Sequence, residues 1–169
     1  MTSACSHPHS HPPLAQAYVQ QALLLLKAKG LRVTEPRKQI LDLLAQQAGP
    51  TNAYQLRDRL VALHGKADIV TIYRVLECLE AHGLLHRLLT RPGAVVRCQL
   101  PAETECRHAE AVHHCHHVLV CRCCDGVEEL HCPGMETVVE QAEHSTGYRV
   151  ETHYLEFLGL CPNCKPLES

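Results

Sequence analysis

Tryptophan is absent from the 169 residues and phenylalanine occurs once, so Leu, Val and Ala must supply most of any interior. No apolar run approaches the roughly 18 residues that a membrane helix needs. The longest, ALLLL at 22–26, lies inside an amphipathic segment, and no membrane association is expected. The opening MTSACSHPHSHPP lacks both the basic stretch and the apolar stretch of a secretory signal, which places the chain in the cytoplasm as an expectation. In that reducing compartment eleven cysteines read as metal ligands before they read as disulfides. Residues 1–13 also lack any charge and carry three His and three Pro, the make-up of a disordered tail that could at most scavenge metal weakly.

What is present divides along the chain. Residues 1–100 hold 12 Lys and Arg against 6 Asp and Glu, whereas residues 101–169 hold 4 against 12. A basic half joined to an acidic half predicts that only the first meets a polyanion.

From Leu14 to His82 the apolar spacing is helical. AQAYVQQALLLLKAKG reads as a helix ended by Gly30. TEPRKQILDLLAQQAG has Thr34 as N-cap and Pro36 in the first turn, with Ile40, Leu41, Leu43 and Leu44 inward. TNAYQLRDRLVALHG places Leu56, Leu60 and Leu63 on one side, and DIVTIYRVLECLEAHG starts at an Asp68 cap and stops before Gly83. LLHRLLT and AVVRCQL then flank RPG, a β-hairpin. Helices followed by a hairpin predict a winged helix-turn-helix domain over 14–99, with the hairpin as the wing.

Residues 100–112, LPAETECRHAEAV with its leading Leu, are polar and aperiodic and are assigned as a hinge. Residues 113–169 then read β-β-α-β: VLVC, GVEEL, the helix GMETVVEQAEHST and the strand YRVETHYLEFLGL. A three-stranded antiparallel sheet with one helix is too small to be comfortable alone, so this α/β unit is expected to dimerise. The fold class is therefore α+β.

HHCHHVLVCRCCDG, at 113–126, packs four His and four Cys into fourteen positions, a mixture no hydrophobic core requires. Its strongest pattern is Cys121-x-x-Cys124 with Cys161-x-x-Cys164. Two such knuckles can set four thiolates tetrahedrally around structural Zn²⁺. The 36 residues between them exceed common finger spacings but suffice for a strand, a helix and a strand. Cys123 could replace Cys124, although only Cys124 keeps the spacing. A zinc deaminase reading, with HAE at 108–110 and CPNC at 161–164, is disfavoured. Leu160 rather than Pro precedes Cys161, HAE falls in an aperiodic loop, and Cys121 and Cys124 would have no role. An enzyme is not expected, nor a small-molecule substrate.

GLRVTEPRKQIL, VTIYRVLECLEAHGLL, the histidines ahead of Cys-x-x-Cys, and ETHYLEFLGLCPNC resemble in order and spacing the ferric uptake regulator superfamily over roughly residues 15–164. These are dimeric, metal-responsive repressors. The resemblance implies a winged-helix DNA-binding domain, a dimerisation domain, a four-Cys zinc and a sensor site between the domains. Iron-responsive members resemble one another in having a Glu at the end of the wing and a His after the second helix. Here Cys98 stands at the wing, and AQQAGPTNAY contains no His.

The sensor positions resemble those of the zinc uptake regulator branch: His86, Cys98, His114 and Glu129. One thiolate, two imidazoles and a carboxylate suit tetrahedral Zn²⁺ over octahedral Fe²⁺; the iron-, nickel- and peroxide-responsive branches are the alternatives, and a Cys at the sensor argues against a site meant for iron. His113 and His116 rival His114, and Glu128 rivals Glu129, of which strand alternation turns only one inward. A further site implied by the resemblance joins His117, Glu136 and His153, completed by Cys115 or His116. The expected cofactor is thus two or three Zn²⁺ per monomer. The expected partners are an AT-rich palindromic operator duplex and a second copy of the chain. Thr71, Tyr73 and Arg74 are assigned to base edges, and Arg37, Tyr54 and Lys66 to the DNA backbone.

Overall fold

Helix α1 (Pro12–Ala28) starts inside the segment expected to be disordered. A proline at the first turn lacks only an N–H that would have no helical partner there, and its φ is already helical. The computed structural model describes residues 12–47, 49–98, 117–130, 134–151 and 153–165, with backbone only at 12–14 and 136. Residues 1–11, the predicted hinge at 100–112 and the histidines at 113–116 lie outside these.

Tyr18, Ala22 and Leu26 recur at helical spacing and bury the inner stripe of α1. The chain leaves at Gly30, whose φ of 71° is a left-handed conformation that favours glycine. Helix α2 (Glu35–Ala45) buries Ile40, Leu41, Leu43 and Leu44 as expected. Thr34 holds the N-cap backbone position, but its hydroxyl makes no capping hydrogen bond. A two-residue strand, β1 (Thr51–Asn52), precedes helix α3 (Ala53–His64). Asn52 and Gln55 cap α3 reciprocally: each side chain accepts the other's backbone N–H, at 2.9 and 3.1 Å.

Leu56 and Leu60 of α3 are buried, whereas Leu63 is 65% exposed, against expectation. All four residues of the last turn, 61–64, face solvent because α3 runs on beyond the core. Helix α4 (Ile69–Glu80) turns Ile72, Val75, Leu76 and Leu79 inward. Leu41, Leu44, Leu76 and Leu79 are essentially inaccessible, each such burial contributing about 1.5–3 kcal/mol. The hairpin follows as β2 (Leu85–Arg87) and β3 (Ala94–Arg97). With β1 they form an antiparallel sheet in the order β1-β3-β2.

The second unit comprises β4 (His117–Cys121), β5 (Val127–Leu130), α5 (Met135–Thr146) and β6 (Glu156–Gly159). Only the end of the predicted last strand is extended in a sheet. The sheet order is β5-β4-β6, and β6 runs parallel to β4. The expected antiparallel sheet is therefore corrected to a mixed one. β5 takes one edge of β4 through a tight turn. The longer α5 connection lets the chain re-enter beside the other edge in the same direction, which no hairpin could do.

Leu88 and Val96 of the wing pack on Val118 and Val120 of β4, with Ala94 and Val127 at the margin. This small apolar cluster joins the two units. Among the described residues, no helix is long and apolar enough to cross a membrane.

Candidate metal centres and nucleic-acid interface

The parallel pairing of β4 with β6 sets Cys121 opposite Gly159, two positions before Cys161. The turn after β4 and the turn after β6 therefore emerge side by side. In the first, Asp125 N–H closes on the Cys121 carbonyl at 3.0 Å. In the second, the Cys164 and Lys165 N–H groups close on the Cys161 carbonyl at 2.9 and 2.8 Å. The thiols of Cys121, Cys124, Cys161 and Cys164 converge, all within 4.8 Å of one another. Cys124 and Cys161 stand 3.7 Å apart sulfur to sulfur, and the Cys161 N–H points at the Cys121 sulfur over 3.4 Å. Cys123 is exposed and stands outside this group.

Burial works to raise the Cys121 thiol, but amide N–H groups of Cys124, Cys161 and Cys123 outweigh it and hold the group at about 6. Burial raises Cys124 instead. A site that favours thiolate on one member and gathers four soft donors suits a closed tetrahedral zinc. Cys161 and Cys164 have Cys121 and Cys124 as neighbours, so the arrangement is not the one-His, two-Cys set of a deaminase. His108 lies outside the described residues.

A second convergence lies at the seam between the units. In the β2–β3 register His86 pairs with Val96. Cys98, two residues further on, therefore shares the His86 face. Glu129, on β5, pairs with Val118 of β4 and shares the β4 face that packs on the wing. The Glu129 carboxylate reaches both wing residues: Oε1 lies 3.6 Å from His86 Nε2, and Oε2 lies 3.7 Å from the Cys98 sulfur. Only 1% of the Glu129 side chain is exposed. A carboxylate so buried is costly unless a cation or hydrogen-bond donors meet it. One imidazole, one thiol and one carboxylate within 4.8 Å of one another form a donor set that fits zinc. Glu128 faces outward, as strand alternation requires. His114 lies outside the described residues.

His117 and His153 also meet, Nε2 to Nε2 at 3.1 Å, with ring centroids 5.3 Å apart. His117 is 2% exposed. Cys115, His116 and the Glu136 side chain lie outside what is described.

Sequence reasoning missed the polar contacts that frame this seam. The Glu156 carboxylate accepts the Leu89 N–H at 2.6 Å and the Thr90 N–H and hydroxyl. Arg91 pairs with Asp125 in the first knuckle, and that contact lowers the Asp125 carboxyl. The Asp125-Gly126 pair signals a turn, but nothing local tells which element the turn touches.

Helix α4 presents Tyr73 (39% exposed) and Arg74 to solvent. Tyr54 on α3 and Lys66 in the loop before α4 are also exposed, and the Arg57 guanidinium lies over the Tyr54 ring, 5.7 Å from its centroid. Thr71 is otherwise engaged: its hydroxyl donates to Asp68 at 2.7 Å within the α4 cap. Arg37 donates from one terminal nitrogen to the Arg32 carbonyl and from the other to the Cys78 sulfur, the latter at 3.3 Å.

Comparison with known proteins places the chain in a family. The profile of the ferric uptake regulator family matches residues 28–158. The ferric uptake regulation protein of Neisseria gonorrhoeae is 33% identical over 141 residues, covering 83% of this chain and 90% of its own. The peroxide operon regulator of Bacillus subtilis (strain 168) is 28% identical over 156 residues, covering 92% of this chain and 99% of its own. Among solved structures, a zinc uptake regulator complexed with zinc and DNA superposes with a TM-score of 0.77 at 26% identity, covering 89% of this chain and 94% of that one.

Proposed function

The chain belongs to the ferric uptake regulator family, and from that membership we propose that it is a zinc-responsive repressor of the zinc uptake regulator branch. It is a DNA-binding metalloregulator rather than an enzyme. It works as a homodimer on operator DNA in the cytoplasm. The single observation that carries the zinc assignment is the meeting of His86, Cys98 and Glu129 across the seam. His114 is assigned as the fourth ligand. Cys121, Cys124, Cys161 and Cys164 hold the structural zinc, giving two ions per monomer. Cys115, His117, Glu136 and His153 would hold a third.

Bound zinc would supply a positive centre that lets the Glu129 carboxylate and the Cys98 thiolate stay ionised in a buried place. His86 and Cys98 ride on the wing, and Glu129 rides on the C-terminal sheet. Holding the three at ligand distance therefore holds the winged domain, residues 14–99, in one pose on the dimerisation domain, residues 113–169. When the three separate, that pose loses this hold. In a dimer the pose sets the distance between the two α4 helices, which operator DNA reads as half-site spacing. A metal and an operator that both prefer the closed pose reinforce each other's binding. On α4, Arg74 reaches guanine and Tyr73 a thymine methyl, with Thr71 beside them, while Arg37, Tyr54 and Lys66 take phosphates.

The relatives named for iron and peroxide responses favour a second reading, an iron-type sensor on the same scaffold. Cys98 at the seam weighs against it, because thiolate with imidazole selects zinc over iron. The test is a gel shift on an AT-rich palindromic duplex with buffered Zn²⁺, Fe²⁺ or Ni²⁺, each with and without peroxide. Binding switched on by zinc alone supports the proposal. Binding switched on by Fe²⁺ and abolished by peroxide replaces it.

A further inference from the structure

The backbone carbonyl of Leu84 takes two donors at once. The Tyr18 hydroxyl of α1 reaches it at 2.9 Å, across 66 positions of chain. The Cys98 N–H reaches the same oxygen at 3.0 Å. A carbonyl has two lone pairs, so both bonds can be full. Leu84 closes the α4 exit, its own N–H returning to the Leu79 carbonyl at 2.9 Å, and it stands two residues before His86. Beside it the Arg97 guanidinium lies over the Tyr18 ring, Cζ to centroid 5.8 Å, and Arg97 is the residue before Cys98. One buried phenol, 6% exposed, thus ties α1 to the backbone on both sides of the seam pair.

We propose that Tyr18 is a positioning residue for Cys98, fixing the thiol against His86 and Glu129 through the shared Leu84 carbonyl and the stacked Arg97. The inference rests on the seam being the metal-sensing site. Cys98 follows β3 directly, and its N–H bond to Leu84 is the last rung of the wing among the described residues. Tyr18 polarises the acceptor of that rung and limits where Leu84 can go. Partners that orient a ligand tune metal affinity without touching the metal.

Tyr18→Phe keeps the ring, its packing and the stacked Arg97, and removes one hydroxyl from an acceptor that keeps its other donor. The parent, Tyr18→Phe, Cys98→Ala and the double variant are compared in zinc-buffered operator titrations. Chelator-competition measurements of zinc affinity and amide exchange of the metal-free protein accompany them. For Tyr18→Phe the expected result is a rise in the zinc threshold and in the competition constant of roughly 3- to 10-fold, below the ~10–100-fold seen when direct partners of ligands are lost. Metal-free, the Cys98 amide should exchange faster, while amides of α2 and α4 keep the parent's rates. In the Cys98→Ala background Tyr18→Phe should add nothing. Equal effects of Tyr18→Phe with and without Cys98, or faster exchange throughout the helices, would show a general core role and overturn the inference. An unchanged zinc threshold in Cys98→Ala would instead remove the sensing site itself, and the inference with it.

Discussion

Cys98 and Glu129 lie 31 positions apart on different units, yet the thiol and the carboxylate Oε2 are 3.7 Å from each other in the buried seam. Neither group is at ease there alone, because an ionised thiol or carboxylate without a positive partner is poorly solvated at such a place. On the proposed reading, the pair makes the relative placement of the wing and the C-terminal sheet responsive to the cation that joins them.

Cys98→Ala should leave the dimer folded and the four-thiol site loaded, because Cys98 does not belong to that group. Losing a direct ligand should weaken the seam metal by more than the ~10–100-fold of an outer partner. Zinc per monomer by native mass spectrometry should fall by one, and operator binding should fail at zinc levels that saturate the parent. Undiminished zinc and an unchanged threshold would move the sensor to the His117 and His153 pair.

Cys121→Ser and Cys164→Ser should each abolish the folded dimer, since the closed site joins the ends of β4 and β6 and metal binding there is folding free energy. Cys123→Ser, on an exposed thiol, should be silent. Sedimentation and thermal melts of the three variants decide the matter, and a stable Cys121→Ser dimer would be incompatible with the assignment.

Arg74→Ala should cost about 1–3 kcal/mol on the operator and much less on random duplex if, as proposed, the side chain reads a base edge. Lys66→Ala should weaken both duplexes alike and flatten the salt dependence of binding. Fluorescence anisotropy across a salt series measures both. Equal losses for Arg74→Ala on the two duplexes would remove its base-reading role.

Glu156 accepts from the Leu89 N–H and from both the N–H and the hydroxyl of Thr90. Glu156→Ala should therefore raise amide exchange at Leu89 and Thr90 and loosen the wing, with the rest of the core unchanged. Arg91→Ala removes one partly exposed ion pair and should change stability by less than about 1 kcal/mol. The larger effect should come from Glu156, and a ranking in the reverse order would contradict the hydrogen-bond assignment.

Asp68 titrates below its ordinary value because the Thr71 hydroxyl and N–H donate to its carboxylate. A lowered folded-state pKa means that this contribution to stability is present above the ordinary value of 3.8 and is lost as pH falls through the lowered one. Asp68→Asn should therefore make stability less dependent on pH on the acid side, with little change at neutral pH. Urea melts of the parent and the variant, stepped from neutral to acid pH, test this. Parallel acid limbs would show that the cap carries no linked proton.

The sequence by itself determined what depends on neighbours in the chain. The inward stripes of α2 and α4, the Asp68 cap, the hairpin around RPG and the paired Cys-x-x-Cys spacings are all local patterns, and α2 and α4 stand where those patterns put them. It also named His86, Cys98 and Glu129, which the structure brings together, although it did so by resemblance rather than by geometry. Tertiary structure decided the rest. Whether the last strand joins β5 or the far edge of β4 is set by which edge is free, so the mixed sheet was not legible. Thr51 and Asn52 are strand only because Val95 and Ala94 of the wing lie opposite them. Leu63 has the right period for the core but sits past its end, and Glu156 and Asp125 give no local sign that they hold the wing. Periodicity reports which face of an element is apolar. It carries no record of which distant backbone edge or buried charge that face will meet.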